Sequence, residues 1–226
     1  IMNSYFYAQL KEFTEKSRGY TLMFNYRMMN LCVKAEPGAL IPVAVNVGGN
    51  SYNLEEVAQI SKPDDYTFEV RANNGDYLQN IIDGIFDMHP EFLFEMKTEK
   101  DIEDKDVNYA HYTMPEVNKE RHDLLTETTK AFYNECIASI ETIYALKEAK
   151  LAEVAAHAPA EDLKQSKDEL EAYYHDAKGE AEKMRDMKLQ EIEEAYLRYL
   201  EDKEQQKLGE ANNFDYSQGM RLGQDE

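Results

Sequence analysis

The chain has 226 residues, of which 31% are charged, and a net charge of −20, which leaves room for one large domain or two small ones with a sizeable core. Nucleic-acid binders draw most of their non-specific affinity from Lys and Arg on phosphates. With 45 Asp and Glu against 25 Lys and Arg, and no basic stripe beyond the first helix, extensive contact with DNA or RNA is disfavoured. No window approaches the ~18 apolar residues of a membrane span, and the opening Ile1-Met2-Asn3-Ser4-Tyr5 lacks the basic and apolar regions of a signal peptide. The expectation is a cytoplasmic protein without membrane contact.

The first helix is expected from about Ser4 to Lys34. Phe6, Leu10, Phe13, Ser17, Tyr20, Phe24, Met28 and Leu31 recur at alternating steps of three and four, a coiled-coil-like seam. Gly19 is a helix-interior cost that marks either a bend or a tolerated substitution. Glu36-Pro37-Gly38 stops the pattern and makes the first hinge. The period then changes to alternation: Leu40 to Val47 is β-rich, Gly48-Gly49-Asn50-Ser51 reads as a turn, and Tyr66, Phe68 and Val70 line one face of a later strand. Leu78, Ile81, Ile82 and Ile85 mark one short amphipathic helix. Phe92, Phe94 and Met96 begin another strand, and Val107, Tyr109 and His111 close the segment after an acidic loop. Residues 36–113 carry five Lys and Arg against sixteen Asp and Glu, the largest share of the net negative charge.

Thr113-Met114-Pro115 forms the second hinge, and Pro115 suits the first turn of the next helix. Leu125, Phe132, Cys136, Ile140, Ile143, Leu151 and Val154 give that helix one narrow apolar stripe. A turn at Pro159 leads into a third helix to about Lys207, with Leu163, Leu170, Tyr174, Ala177, Ala181, Met184, Ile192, Ala195 and Tyr199 along its stripe. The fold class expected is α+β: a long three-helix antiparallel bundle, residues 1–35 and 114–208, with an inserted compact acidic α+β domain, residues 36–113. Residues 209–226 are expected to form a flexible tail.

Catalytic and metal signatures are absent from the spacing. The five histidines show no metal-ligand pattern, and Cys32 and Cys136, both on expected apolar helix faces, read as buried thiols rather than a disulfide. Asp101 to Asp106 lacks the glycine and closing Glu of an EF-hand, and Gly48-Gly49 lacks the Lys-Ser/Thr of a phosphate loop. No metal, cofactor or enzymatic activity is expected.

The element order and several residue matches resemble the ribosome recycling factor family. Gly48 to Leu54 followed by Val57-Ala58-Gln59-Ile60 looks like the family's Tyr-Gly-Thr-Pro-Thr-Pro-Leu and Leu-Ala-Ser-Val, Tyr66 to Val70 like its next strand, and Leu78 to Met88 like its one short helix. Pro115 with Glu120-Arg121 is similar to the family's Pro-Leu-Thr-Glu-Glu-Arg-Arg helix start. The resemblance implies a factor that splits post-termination ribosomes with an elongation-factor GTPase, contacting ribosomal RNA through an Arg-Asn-x-Arg-Arg cluster. Kept in register, those positions hold Glu141, Thr142, Ile143, Tyr144 and Ala145, and the family's Thr-Gly-Arg-Ala-Ser hinge gives way to Lys34-Ala35-Glu36-Pro37-Gly38.

The sequence thus points to a divergent, non-enzymatic relative that binds a protein partner, with ribosome contact weakened because the guanidinium donors are missing. Its candidate interaction face comprises Arg121, Lys130, Glu141, Tyr144, Lys147 and Lys150. The alternatives are a working recycling factor and a structural bundle that self-associates as a homodimer through its tyrosines.

Overall fold

A computed structural model describes residues 3–222. Helix α1 (Ser4–Met29) starts at Asn3, whose side chain accepts the Tyr5 N–H, and buries Phe6, Leu10, Phe13, Ser17, Thr21, Phe24 and Met28. Helix α4 (Lys119–Glu153) and α5 (Ala160–Leu222) complete an antiparallel bundle. Ile140, Leu151, Leu170 and Ala181 meet the α1 phenylalanines in one core. Burying such side chains contributes about 1.5–3 kcal/mol each, and that holds together three helices whose individual stripes are narrow.

Between α1 and α4 lies the α+β segment. Strands β1 (Ala44–Val47) and β2 (Asn50–Asn53) pair as a hairpin turned by Gly48 and Gly49, both at positive φ, as a two-residue primed turn requires. Helix α2 (Leu54–Val57) follows with a reciprocal cap between Asn53 and Glu56. Strands β3 (Ala58–Ser61), β4 (Thr67–Ala72), β5 (Leu93–Lys100) and β6 (Asp106–Thr113) form an antiparallel sheet in the order β3-β4-β6-β5. Helix α3 (Leu78–Met88) buries Ile81 and Ile85 in a second core with Leu40, Val45, Leu54, Phe68, Val70 and Ala110. The acidic loop before β6 is a turn held by Asp101, whose carboxylate accepts the Glu103 and Lys105 N–H groups. A third cluster joins the two parts: Val33, Val117, Leu125, Ile192 and Ala195 beside Tyr66.

Four sequence expectations meet a different structure. Helix α1 ends at Met29, five residues early, because Asn30 caps it and Cys32 takes the left-handed conformation at φ 51°. Cys32 therefore lies off the helix and in the core of the α+β segment. Helix α4 begins at Lys119, since Asn118 accepts the Arg121 N–H as the cap, a stronger start signal than Pro115; residues 114–118 stay non-helical. Helix α5 continues past its expected end near Lys207, through residues 209–222. From residue 200 to 213 every residue except Lys203 is exposed. Residues 223–226 of the expected tail lie outside the described residues.

Candidate interaction face and hinge

The α4 stretch Glu141 to Ala145, which the sequence register sets against the family's arginine cluster, is filled by groups already engaged. Tyr144 stacks on Tyr174, with ring centroids 4.1 Å apart and planes at 13°, and meets Phe13 edge-on at 6.3 Å. Burial, then a hydrogen bond to Glu148, pushes its hydroxyl well above the usual tyrosine range. Glu141 lies 3.6 Å from Lys178 Nζ and accepts the Tyr174 hydroxyl at 3.4 Å. Thr142 Oγ1 donates back to the Ala138 carbonyl, Ile143 is buried, and Ala145 is exposed. With Leu146 and Glu148 also exposed, the outer surface of this stretch carries carboxylate and apolar groups and one hydroxyl, but no cation.

The remaining sequence candidates do not form one face. Lys147 is buried in the bundle, where its ammonium donates to Glu12 Oε2 at 2.6 Å and Gln9 Oε1 at 2.8 Å; the same bond leads the effects that hold the Glu12 carboxyl below its ordinary value. A buried ammonium needs such partners, so Lys147 ties α4 to α1 and is not available at the surface. Lys130 is exposed and Lys150 half-buried, 3.9 Å from Glu153. Arg121 sits elsewhere altogether. Its Nη2 donates to the carbonyls of Leu31 and Cys32 at 3.1 and 3.4 Å, and burial lowers its pKa against the opposing pull of Glu91 and Cys32.

Arg121 thus fastens the start of α4 to the end of α1, beside the expected hinges. Glu36 is extended and Pro37 opens a short 3-10 turn, while Gly38 lies so close to the Met29 thioether that a Cβ there would collide with it. Ala35 N–H donates to the Asp65 carbonyl and Met114 N–H to that of Tyr66, both at 2.8 Å. Thr113 pairs in the β ladder with Thr67 and Leu93, and Pro115 follows it outside any helix or strand. Both connections are therefore tied to the same short stretch before β4. Arg198 of α5 covers the Tyr66 ring at 4.0 Å, so the third helix also reaches this junction.

At the same end, His122 on α4 is in hydrogen-bond contact with Glu193 on α5 and with Asp123, and the Glu193 bond, then that of Asp123, raises its pKa. A raised folded-state value means the stabilisation is complete below the unfolded value of about 6.5 and is lost as pH rises through the folded one. Thermal scans should therefore show a melting temperature that declines as pH rises above about 6.5, and His122→Gln should flatten that decline. An unchanged slope in the variant would remove His122 as its source.

Sequence spacing gives no hint of one further cluster. Cys32, His89 and Glu91 converge although Cys32 and His89 stand 57 positions apart: His89 Nδ1 is 3.7 Å from Cys32 Sγ and 3.2 Å from Glu91 Oε1, and its Nε2 is 2.7 Å from the Ala39 carbonyl. Phe92 stacks on the imidazole at 4.6 Å. Burial opposes the charged ring, yet the bonds to Cys32, Glu91 and Ala39 outweigh it and His89 is pushed up to about 10.

The family model for ribosome recycling factor matches residues 26–192, from the last turn of α1 through the α+β segment and α4 and into α5. The chain belongs to the ribosome recycling factor family. A solution structure of the ribosome recycling factor superposes with a TM-score of 0.69 at 14% identity, covering 85% of this chain and 100% of that one, which shows the shared fold. A Thermus thermophilus ribosome recycling factor, described as placed with Escherichia coli elongation factor G on the Escherichia coli post-termination complex, gives a TM-score of 0.48 at 20% identity over 81% of this chain and 98% of that one. No curated protein matches the sequence. Ribosome recycling factors are translation factors rather than enzymes, and the candidate positions from Arg121 to Lys150 all fall inside the matched range. No helix among the described residues is long and apolar enough to cross a membrane.

Proposed function

We propose that this protein is a non-enzymatic, translation-associated member of its family that docks on a protein partner through the carboxylate and tyrosine surface of α4 and α5, without the arginine-based RNA contact of the family. The observation that carries this reading is the closure of that surface by its own residues: Tyr144 on Tyr174 and Glu141 with Lys178. A guanidinium aimed outward would bring bidentate phosphate donors; the exposed groups at these positions are Glu141, Thr142 and Ala145, with Leu146 and Glu148 beside them. Carboxylates repel phosphate, whereas a basic, aromatic-accepting protein surface complements them. Residues 36–113 would move as a separate domain on the two hinges, and the setting would be the cytoplasm, with neither DNA nor membrane as partner.

A second reading, a working recycling factor that disassembles post-termination ribosomes, is favoured by the family match across both the bundle and the α+β segment. Co-sedimentation with ribosomes over a salt series separates the two. Weak association with a shallow salt dependence is expected, because each phosphate contact adds roughly 0.7–0.9 to the slope of log K against log salt. Tight association that collapses steeply with salt would overturn the protein-docking proposal and establish the recycling one. The third alternative, self-association, predicts a dimer in light scattering on the same samples.

A further inference from the structure

We propose that Cys32, His89 and Glu91 form a binding site for a divalent transition-metal ion of the zinc class, placed where the chain passes from α1 into the α+β segment. The three donor atoms lie within 4.8 Å of one another. For tetrahedral zinc, bond lengths of about 2.3 Å to sulfur and about 2.0 Å to nitrogen and oxygen set the edges at roughly 3.5 Å for S···N and roughly 3.3 Å for N···O. The observed Sγ···Nδ1 distance is 3.7 Å and Nδ1···Oε1 is 3.2 Å. These two edges fit to within a few tenths of an ångström; the third, from Sγ to the carboxylate, lies within 4.8 Å against roughly 3.5 Å, so the exposed Glu91 side chain would have to close by up to about 1.3 Å.

The surroundings are those of a metal ligand set. His89 Nε2 faces the Ala39 carbonyl at 2.7 Å, so that nitrogen carries the proton and the lone pair of a neutral ring lies on Nδ1, the outer-sphere arrangement that orients ligating histidines. That lone pair then faces the Glu91 carboxylate at 3.2 Å and the Cys32 sulfur at 3.7 Å, and the same sulfur lies 3.7 Å from the Met29 carbonyl. A proton on the ring or on the sulfur satisfies these contacts in the metal-free protein, and a metal ion would take the place of those protons. The donor set suits one class of metal: sulfur, imidazole and carboxylate together match zinc-class ions, and thiolate plus carboxylate neutralise a divalent charge.

Cys32 is held for this role by its left-handed backbone, an uncommon conformation for a residue with a Cβ. Arg121 Nη2 fixes the carbonyl of the same residue. Two ligands are buried, while the Glu91 side chain is 37% exposed and provides the route of entry. Three protein ligands leave the fourth tetrahedral position for water, the pattern of an exchangeable rather than a closed site. Occupancy would clamp residue 32, at the exit from the bundle, to the loop after α3, and so stiffen the first hinge.

Cobalt(II) titration of the full chain tests this, since a thiolate ligand produces a near-ultraviolet charge-transfer band. Expected is one Co²⁺ per chain, displaced by Zn²⁺, with the band abolished in Cys32→Ser and kept in Cys136→Ser. Glu91→Gln, at the exposed ligand, keeps the fold if Cys32→Ser does not, and should weaken binding at least about tenfold. Zinc at one hundred times its dissociation constant should raise the melting temperature by about 5–10 °C, and by less in Glu91→Gln. Absence of the band, a band that persists in Cys32→Ser but vanishes in Cys136→Ser, or binding unaffected by Glu91→Gln would overturn the assignment and leave a proton on His89 as the bridging cation.

Discussion

Gly84→Ala should destabilise the protein, against the ordinary rule for helices. An alanine in a helix interior normally gains about 1 kcal/mol over glycine. On α3, however, a Cβ at residue 84 would press into the Ala44 carbonyl oxygen of β1, 3.3 Å from its carbonyl carbon and 3.5 Å from Val43 Cγ1. The nearest neighbour is backbone in a paired strand, which cannot rotate away as a side-chain tip can. Overpacking of this kind costs about 1–3 kcal/mol and sometimes more, so a net loss of about 1–2 kcal/mol and a melting temperature lower by roughly 2–8 °C are expected. Gly19→Ala on α1 and Gly179→Ala on α5 are the controls, because a Cβ at either meets nothing within 4 Å; each should stabilise by about 1 kcal/mol. Urea titration followed by circular dichroism measures all three. Should Gly84→Ala stabilise as much as Gly19→Ala, the close seat of α3 on β1 is refuted.

That contrast also shows what kind of information the sequence holds. The bundle is legible because α1 and α4 repeat their apolar residues at helical spacing: Phe6 to Met28 and Leu125 to Leu151 reappear as buried faces. The β1–β2 turn is legible because two adjacent glycines supply the positive φ that a short hairpin needs. Helix ends are not. Asn30 closes α1 and Asn118 opens α4, yet Pro37 and Pro115 are the louder local signals. Gly209 reads as a breaker, but a solvent-exposed glycine costs a helix only about 1 kcal/mol, and α5 runs through it.

The candidate site is less legible for a different reason, which is that its decisive partners are distant in sequence. Lys147 reads as a surface cation because lysines seldom bury fully; it is buried because Glu12, 135 positions earlier, meets it. Arg121 groups along the chain with the basic residues of α4, and only the fold brings the carbonyls of Leu31 and Cys32 within its reach. Sequence register alone draws attention to Tyr144, but its stacking partner Tyr174 comes from another helix. Ligand geometry at His89 depends on Cys32 and on a backbone carbonyl at Ala39, and neither follows from spacing.

Placing guanidinium groups on the outer surface of α4 should create ribosome affinity. Glu141 and Ala145 are both exposed, so Glu141→Arg with Ala145→Arg changes the local charge by three units without entering the core. Glu141 and Lys178 form a surface ion pair at 3.6 Å, and removing such a pair costs at most about 1 kcal/mol. Tyr174 loses the hydroxyl bond to Glu141 at 3.4 Å, but the ring contact of Tyr144 with Tyr174 and Phe13 involves neither substituted side chain. Each new arginine that reaches a phosphate is worth about 1.5–3 kcal/mol as a charged hydrogen bond. Two of them predict roughly 10²- to 10⁴-fold tighter binding at low salt, and about 1.4–1.8 units added to the salt slope. The matched control, Glu141→Gln with Ala145→Gln, removes the carboxylate but adds no cation, and should gain far less. Ribosome co-sedimentation of wild type and both variants reads the effect directly. If the arginine variant binds no better than the glutamine one, this face of α4 does not reach ribosomal RNA, and RNA contact through it is excluded for the parent chain as well.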